Sequence, residues 1–308
     1  MPRYNLFIVS NPQNQDQRDF ERIAAMVEEM APEIRALHLP SHRRGRGPRW
    51  RSLLRPTLTV HIQRDNAFRA LRGAVARAQG GGKVAEYRRL DEAGLPVPPW
   101  REIVPGLALD AAEWGPYVVE KPSAGGRGAA VRLRRTGRLR YVDPQDFPDG
   151  HPGRKGPMLA QRFVYTGAQP TAYRVLTCFG KVLLAVRYRN ETLRPAGGAD
   201  DLAIGGTNIV AAARGTTISL ADEADVLAMG VACHGAFPDT PLLGTDVMRE
   251  EATGKLWVAE VNANHVWSFS TPGGQEAQAQ FGLDFYGQFD GLRRAAEAMV
   301  EATRRLAR

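Results

Sequence analysis

The chain has 308 residues, of which 43% are hydrophobic, so it can form two or three packed units and is not a disordered protein. Its 41 Lys and Arg residues outnumber its 33 Asp and Glu residues, and the net charge of +8 permits nucleic acid, anionic membrane or phosphorylated ligands as partners. Cys178 and Cys233 lack the spacing of metal ligands, which argues against a zinc site and a disulfide framework. No long apolar run or signal peptide is evident, so we expect a soluble cytoplasmic protein with no membrane partner.

The first part of the chain predicts a small α/β unit over residues 1–79. Residues Tyr4 to Ser10 form an apolar run typical of a buried strand, and the helical spacing of apolar residues that follows ends at Pro32. A further strand is predicted over Leu58 to Ile62 and a further helix over Asn66 to Ala78. Alternation of strand and helix favours an α/β arrangement.

A basic segment, His42 to Arg55, lies within this unit and contains Trp50. Arginine next to an aromatic side chain can contact a phosphate backbone and stack on bases, so one interpretation is an RNA contact. The other interpretation is a solvated loop, because single runs of charge usually have no partner. We favour the solvated loop, which leaves nucleic acid as the less favoured partner.

A glycine-rich linker, Gly80 to Gly82, indicates a domain boundary before Lys83 and a helix predicted over Val84 to Ala93. The Gly-Lys pair does not form a P-loop, because that motif needs glycine in place of Arg77 and Ser or Thr in place of Val84. No G-x-G-x-x-G motif follows a strand. A Rossmann dinucleotide site is therefore not supported.

A glycine-rich turn joins two predicted strands, Tyr117 to Lys121 and Ala130 to Leu133. The turn contains Gly125, Gly126 and Gly128, whose bare backbone N–H groups can close over an anion as a flexible flap. A hairpin with a mobile loop is the alternative. Because a lysine ends the first strand and an acidic cluster follows later in the chain, we favour the anion-binding flap.

A strand over Leu159 to Val164 precedes a predicted hairpin over Ala172 to Arg189. Alternation along the second strand of that hairpin places Arg187 and Arg189 on one face. Two adjacent arginines favour an anion between them, whereas the alternative is a solvated strand edge.

Two alternating apolar runs, Leu242 to Met248 and Leu256 to Val261, predict a second hairpin. Its register would place Asp246 nearly opposite Glu260, with Asn262 on the same face. Converging carboxylates repel unless a cation lies between them, and an all-oxygen cluster suits a hard ion such as Mg²⁺. The alternative is an exposed hairpin with ordinary surface acids.

Two further segments are candidates for substrate contacts. A long glycine-rich segment, Arg194 to Gly215, contains Asn208, and loops of this length are usually functional or disordered. His265 and Trp267 directly follow the second hairpin and could contact an acceptor, although a lone histidine is more often a loop residue. The chain ends in an amphipathic helix that begins near Asp290 and is assigned to core packing.

Five motifs in this order resemble those of ATP-grasp ligases, and within that superfamily the α-L-glutamate ligase (RimK-like) type. They are Lys83 before a helix that ends in AGLPVP; VVEKPSAGGRG; AQRFV followed by Arg174 in AYRV; GTDVM; and EVNAN. The resemblance implies an α+β ATP-grasp fold, in which two subdomains clamp ATP behind a small α/β pre-ATP-grasp domain. The corresponding boundaries are 1–79 for the first domain, 80–155 for the subdomain with the flap, and 156–308 for the subdomain with the metal site and terminal helix.

The resemblance also implies a role for each motif. Lys83 and Lys121 match lysines that contact ATP phosphates, and the flap glycines would close over them. The adenine-binding hinge corresponds to Gln161, Arg162 and Phe163, and the ligands of two Mg²⁺ ions, with Mn²⁺ as an alternative, correspond to Asp246, Glu260 and Asn262.

The implied reaction joins a carboxylate donor, either an amino acid or a peptide, to an amine through an acyl phosphate. Position and charge neutralisation dominate such chemistry. Arg174 and one of Arg187 or Arg189 are expected to stabilise the acyl phosphate and the oxyanion. The alternative is a catalytically silent nucleotide-binding or RNA-binding protein with the same fold, and either a monomer or a homo-oligomer is compatible with the pattern.

Overall fold

The computed structural model contains three β-sheets among the residues that it describes, which are 2–13, 15–41, 48–63, 68–78, 81–124, 130–191, 215–263 and 267–308. The first sheet is parallel and the two that follow are antiparallel. Within these ranges no helix combines the length and apolar character needed to cross a bilayer.

The first sheet is formed by β1 (Tyr4–Ser10), β2 (Ile34–Pro40), β3 (Thr57–His61) and β4 (Ala74–Ala76), in the order β2-β1-β3-β4. Helix α1 (Gln17–Met30) packs on this sheet. Asp16 caps the helix, since its side chain accepts a hydrogen bond from the backbone N–H of Arg18. The first predicted strand and the first predicted helix are confirmed.

The predicted helix over Asn66 to Ala78 is wrong in its described part, where β4 pairs with β3 instead. Gly73 explains the difference. Its φ of +120° is left-handed, and a Cβ added there would lie 2.5 Å from the carbonyl oxygen of Thr57. The chain therefore turns at Gly73 and enters the sheet, although the apolar spacing around it matches a helix.

The second sheet is formed by β5 (Trp100–Glu102), β6 (Tyr117–Pro122), β7 (Arg132–Arg135) and β8 (Met158–Arg162), in the order β5-β8-β6-β7. Helix α2 (Gly82–Glu92) precedes it, and a short helix, α3 (Ala111–Trp114), leads into β6. The predicted boundary at residue 156 assigns β8 to the last unit, but β8 pairs with β5 and β6 of this sheet.

The third sheet is formed by β9 (Thr171–Cys178), β10 (Lys181–Asn190), β11 (Thr216–Leu220), β12 (Leu242–Arg249) and β13 (Leu256–Asn262), in the order β11-β10-β9-β12-β13. Helix α4 (Ala224–Gly235) packs on one face, where a buried cluster includes Tyr173, Val175 and Val247. Both predicted hairpins are confirmed in this sheet.

The last two helices are α5 (Pro272–Phe281) and α6 (Gly291–Leu306). The terminal helix, α6, packs against both α1 and β10, so it joins the first sheet to the third through one continuous core. Its apolar stripe buries Leu292, Ala295 and Met299. The prediction that this helix serves packing is confirmed.

Candidate active site

Three neighbouring strands bring the candidate catalytic and metal-binding side chains together. In the register of the third sheet, Asp246 of β12 lies opposite Arg174 of β9 on one side and opposite Glu260 of β13 on the other. Directly opposed residues share a face of the sheet. The predicted pairing of Asp246 with Glu260 is therefore present, and a β-bulge follows it in β12–β13.

Asp246 has two partners in this arrangement. The Nε and Nη2 atoms of Arg174 each lie 2.7 Å from one carboxylate oxygen of Asp246, which gives a bidentate ion pair. The amide Nδ2 of Asn262 donates to Asp246 Oδ2 at 3.3 Å. The charge of Asp246 raises the pKa of the Arg174 guanidinium above its ordinary value, so this arginine stays cationic.

Glu260 is linked to the second unit through Lys83 at the start of α2. The Nζ atom of Lys83 lies 3.1 Å from Glu260 Oε1. Lys83 is buried, with 8% of its surface exposed, whereas 29% of the Glu260 side chain is exposed, so the ion pair is partly shielded from water. On the same helix, burial raises the pKa of Glu86 to about 7, although nearby Lys83 opposes that shift.

Lys121 lies at the centre of a buried hydrogen-bond network. Its ammonium donates to the hydroxyl of Tyr87, to Gln161 Oε1 at 2.7 Å and to the carbonyl oxygen of Ala259 at 3.4 Å. The Tyr87 hydroxyl in turn donates to the Ala259 carbonyl at 2.7 Å. Burial lowers the pKa of Lys121 to about 8 and raises that of Tyr87.

Sequence reasoning missed Tyr87, which has no exposed surface and connects α2 with β6 and β13. A signal for it exists in the sequence. Tyr87 follows Lys83 by four residues on a predicted helix, and residues four apart share a helix face. The helix face that carries Lys83, one proposed phosphate-binding lysine, therefore also carries Tyr87, which accepts a hydrogen bond from the other proposed lysine, Lys121.

Sequence reasoning also missed Tyr188 of β10. The guanidinium carbon of Arg174 lies 5.8 Å from the centre of the Tyr188 ring, within the range of a cation–π contact. Burial raises the pKa of the Tyr188 phenol, so it stays neutral and can donate a hydrogen bond. Tyr188 lies between Arg187 and Arg189 in the sequence, so strand alternation predicts that it lies on the opposite face of β10 from the two arginines.

Arg187 and Arg189 are not part of the site, which corrects the prediction that one of them faces the phosphate. Residue 186, not 187, lies opposite Arg174, so the two β10 arginines project from the other face. There Arg187 lies 3.9 Å from Glu223 at the start of α4. The Nε of Arg189 donates to Gln169 Oε1 at 2.6 Å. The two arginines do share a face, as expected, but it is the face that α4 covers.

The three hinge residues have different surroundings. Gln161 is buried beside Lys121, and its Nε2 atom has no hydrogen-bond partner among the residues that the structure describes. Arg162 pairs with Glu250 at 3.3 Å and lies over the ring of Trp257 at 4.8 Å. Phe163 is half-buried against the second sheet. Gln161 is therefore the member of this set that contacts a proposed phosphate-binding residue.

Several predicted site residues lie outside the described part of the chain: Gly125, Gly126, Gly128, Asn208 and His265, together with residues 42–47 of the basic segment. Trp267 is described, and it is a core residue with no exposed surface. Its indole N–H donates to Asp19 of α1 at 2.9 Å, and its ring packs on Phe20. The expectation that Trp267 contacts an acceptor is therefore wrong.

By sequence, no protein family and no curated protein matches this chain. Among solved structures, the chain is similar to the crystal structure of D-cycloserine synthetase DcsG, with 15% identity and a TM-score of 0.55 over 97% of this chain and 99% of that chain. It is also similar to the ATP-grasp ligase PsnB complexed with minimal precursor, with 17% identity and a TM-score of 0.50 over 96% and 99% of the two chains. The chain thus has the ATP-grasp fold, and the predicted fold class is confirmed.

Proposed function

We propose that this chain is an ATP-dependent carboxylate–amine ligase that forms an amide bond and releases ADP and phosphate. One observation carries the proposal. Asp246 and Glu260 lie side by side on the third sheet, and Lys83 and Lys121 reach the same region from the second unit. A protein that only packed these elements together would have no need for two buried lysines beside two carboxylates.

The donor set of the third sheet fits Mg²⁺. Asp246, Glu260 and the amide oxygen of Asn262 are hard oxygen ligands, and the two carboxylates are on adjacent strands. Within the described ranges no three His, Cys, Asp or Glu side chains are grouped so that they could hold a metal ion by themselves. The amide oxygen of Asn262 would therefore be the third ligand beside the two carboxylates. Bound Mg²⁺, or Mn²⁺ in its place, would neutralise phosphate oxygens, and we propose two such ions.

The cationic side chains would orient the substrates. Lys83 and Lys121 would contact the ATP phosphates, and the hinge residues Gln161, Arg162 and Phe163 would meet the adenine. Arg174 would contact the acyl phosphate and then the oxyanion that forms when the amine attacks. Tyr188, which packs on the Arg174 guanidinium, would hold it in place.

The reaction then has two balanced steps. A carboxylate oxygen of the donor attacks the γ-phosphorus of ATP, and the bond to the ADP oxygen breaks. The amine nitrogen attacks the acyl carbon, the phosphate leaves with the bonding electrons, and the amine loses a proton. We propose an amino acid or a peptide as the donor and an α-L-glutamate ligase-like (RimK-like) specificity for the reaction class, on the basis of the sequence motifs.

The test is phosphate release from ATP with pairs of amino acids and dipeptides, followed by mass measurement of any product. Release should need Mg²⁺ and both substrates. Asp246→Asn and Glu260→Gln should each lower the rate at least about 100-fold, as loss of electrostatic stabilisation does in other sites. Glu251→Gln, at the exposed turn of the same hairpin, is the matched control and should keep the rate.

Two results would contradict the proposal. One is phosphate release that both substitutions leave unchanged. The other is tight ATP binding without turnover across a broad panel, which is what a silent nucleotide-binding protein of this fold predicts.

A further inference from the structure

The second sheet has a groove on the face turned away from Lys121. Glu120 of β6 lies opposite Arg132 of β7, so these two side chains share a face, and Lys121, the next residue in β6, points to the other one. A cavity of about 460 Å³ and an adjoining cavity of about 270 Å³ lie there and share Glu120, Val142, Phe147 and Met158. Their sizes are at or near the range of ligand-binding clefts. We call this the back groove.

The back groove is apolar at its base and at its rim. Met158 and Ile103 at the base belong to the buried core of the second sheet. Three large apolar side chains that line the larger cavity are exposed to solvent: Val104 at 49%, Tyr141 at 39% and Val142 at 39%. Exposed apolar side chains gathered in one concavity indicate a binding surface, whereas scattered ones do not.

Arginines surround this apolar base. Arg132, Arg134, Arg140 and Arg154 line the two cavities, together with a single acid, Glu120. Residues 130–158 contain seven Lys and Arg against three Asp and no Glu, so the segment carries half of the net charge of the chain. The partner that this groove fits is therefore negatively charged.

Among the described residues, Arg132 and Arg140 keep an uncompensated charge, whereas the other two arginines have carboxylate partners. Arg134 pairs with Glu120 at 2.5 Å, and Arg154 lies 3.4 Å from Asp149. Arg132 is exposed and has no carboxylate partner in the described part of the chain, and Arg140 donates only to the backbone carbonyls of residues 137 and 139. A ligand carboxylate could pair with either guanidinium without displacing an existing ion pair.

We infer that the back groove binds an acidic peptide segment, with apolar side chains in the cavity and carboxylates on Arg132 and Arg140. Tyrosine and arginine around an apolar pocket are typical of the residues that dominate protein–peptide binding. Single-stranded nucleic acid fits less well, because it needs several aromatic faces for stacking and, among the described residues that line the two cavities, Tyr141 is the only exposed aromatic. This inference does not depend on the proposed ligase activity.

The probe is a fluorescein-labelled ten-residue peptide in which Glu and Leu alternate, titrated with the full chain in fluorescence anisotropy. One comparison peptide has Lys in place of each Glu, and another has Ser in place of each Leu. The acidic apolar peptide should bind at least about tenfold more tightly than either comparison peptide, because each loses one of the two kinds of contact. Equal affinity for the Lys peptide would overturn the inference.

Variants locate the binding site. The double substitution Arg132→Glu and Arg140→Glu should weaken binding at least about tenfold. The control is Arg3→Glu combined with Arg22→Glu, which makes the same change of charge at two exposed arginines of the first unit. This control variant should not weaken binding. Because all four side chains are exposed, circular dichroism should show both variants folded. Equal weakening in the two variants, or groove-dependent binding of a single-stranded RNA ten-mer that exceeds that of the peptide, would refute the assignment.

Discussion

The Tyr87 hydroxyl offers a direct test of how the buried Lys121 is held. Tyr87→Phe removes one oxygen atom from a side chain with no exposed surface and changes little else. Two hydrogen bonds disappear, namely the one from Lys121 Nζ to the hydroxyl and the 2.7 Å one from the hydroxyl to the Ala259 carbonyl. The substitution therefore weakens a contact that joins α2, β6 and β13.

The expected loss of stability depends on the hydrogen bonds that Lys121 keeps after Tyr87→Phe. A hydrogen bond to a neutral carbonyl contributes about 1 kcal/mol, and one to a charged group about 1.5–3 kcal/mol. Lys121 keeps Gln161 Oε1 at 2.7 Å and the Ala259 carbonyl at 3.4 Å, so its charge is not left without a partner. We therefore expect the free energy of unfolding to fall by about 2 kcal/mol, below the sum of the two bonds.

Urea unfolding followed by tryptophan fluorescence measures this change. With an m-value of about 3 kcal/mol per molar, the midpoint should fall by about 0.7 M. Tyr117→Phe is the matched control, because Tyr117 is also buried and its hydroxyl has no hydrogen bond in the described residues; its midpoint should move by less than about 0.2 M. A shift for Tyr87→Phe no larger than that of the control would refute the network.

Three further outcomes are expected. Burial lowers the pKa of Lys121 to about 8, so its side chain is protonated below that pH and neutral above it. The ATP dissociation constant measured by calorimetry should therefore rise above pH 8 by up to tenfold per pH unit, and Lys121→Met should remove this pH dependence. Asp19→Ala leaves the buried indole N–H of Trp267 without its acceptor and should lower the free energy of unfolding by about 3 kcal/mol in the urea assay. Arg187→Ala should keep phosphate release within about twofold, whereas Arg174→Ala should lower it at least about 100-fold, because only Arg174 faces Asp246.

Local features of the site could be read from the sequence, because a hairpin sets its own register. Asp246 and Glu260 are 14 residues apart in a hairpin, and alternation places them opposite each other. Gly73 shows the limit of the same reasoning. Its neighbours have helical spacing, yet a close approach to the Thr57 carbonyl decides the conformation, and that approach is a tertiary contact.

Long-range features could not be derived from spacing. Lys83 and Glu260 are 177 residues apart, and their contact depends on how the second unit packs on the third sheet. The insertion of β9 between β10 and β12 decides that Arg174, and neither Arg187 nor Arg189, meets Asp246. The resemblance to family motifs identified Arg174. Strand alternation placed Arg187 and Arg189 on one face of β10 but could not show which face of the sheet carries the site.

The charges of the site are balanced in a way that explains how two carboxylates can lie side by side. Arg174 compensates Asp246 and Lys83 compensates Glu260, so each acid has one cation and these four charges cancel. Like charges on adjacent strands would otherwise repel each other. Both cations are also the residues proposed to contact phosphate, so an anionic substrate would compete with the carboxylates for them. A divalent ion held by Asp246 and Glu260 would relieve that competition, so we expect nucleotide and metal to bind together rather than one after the other.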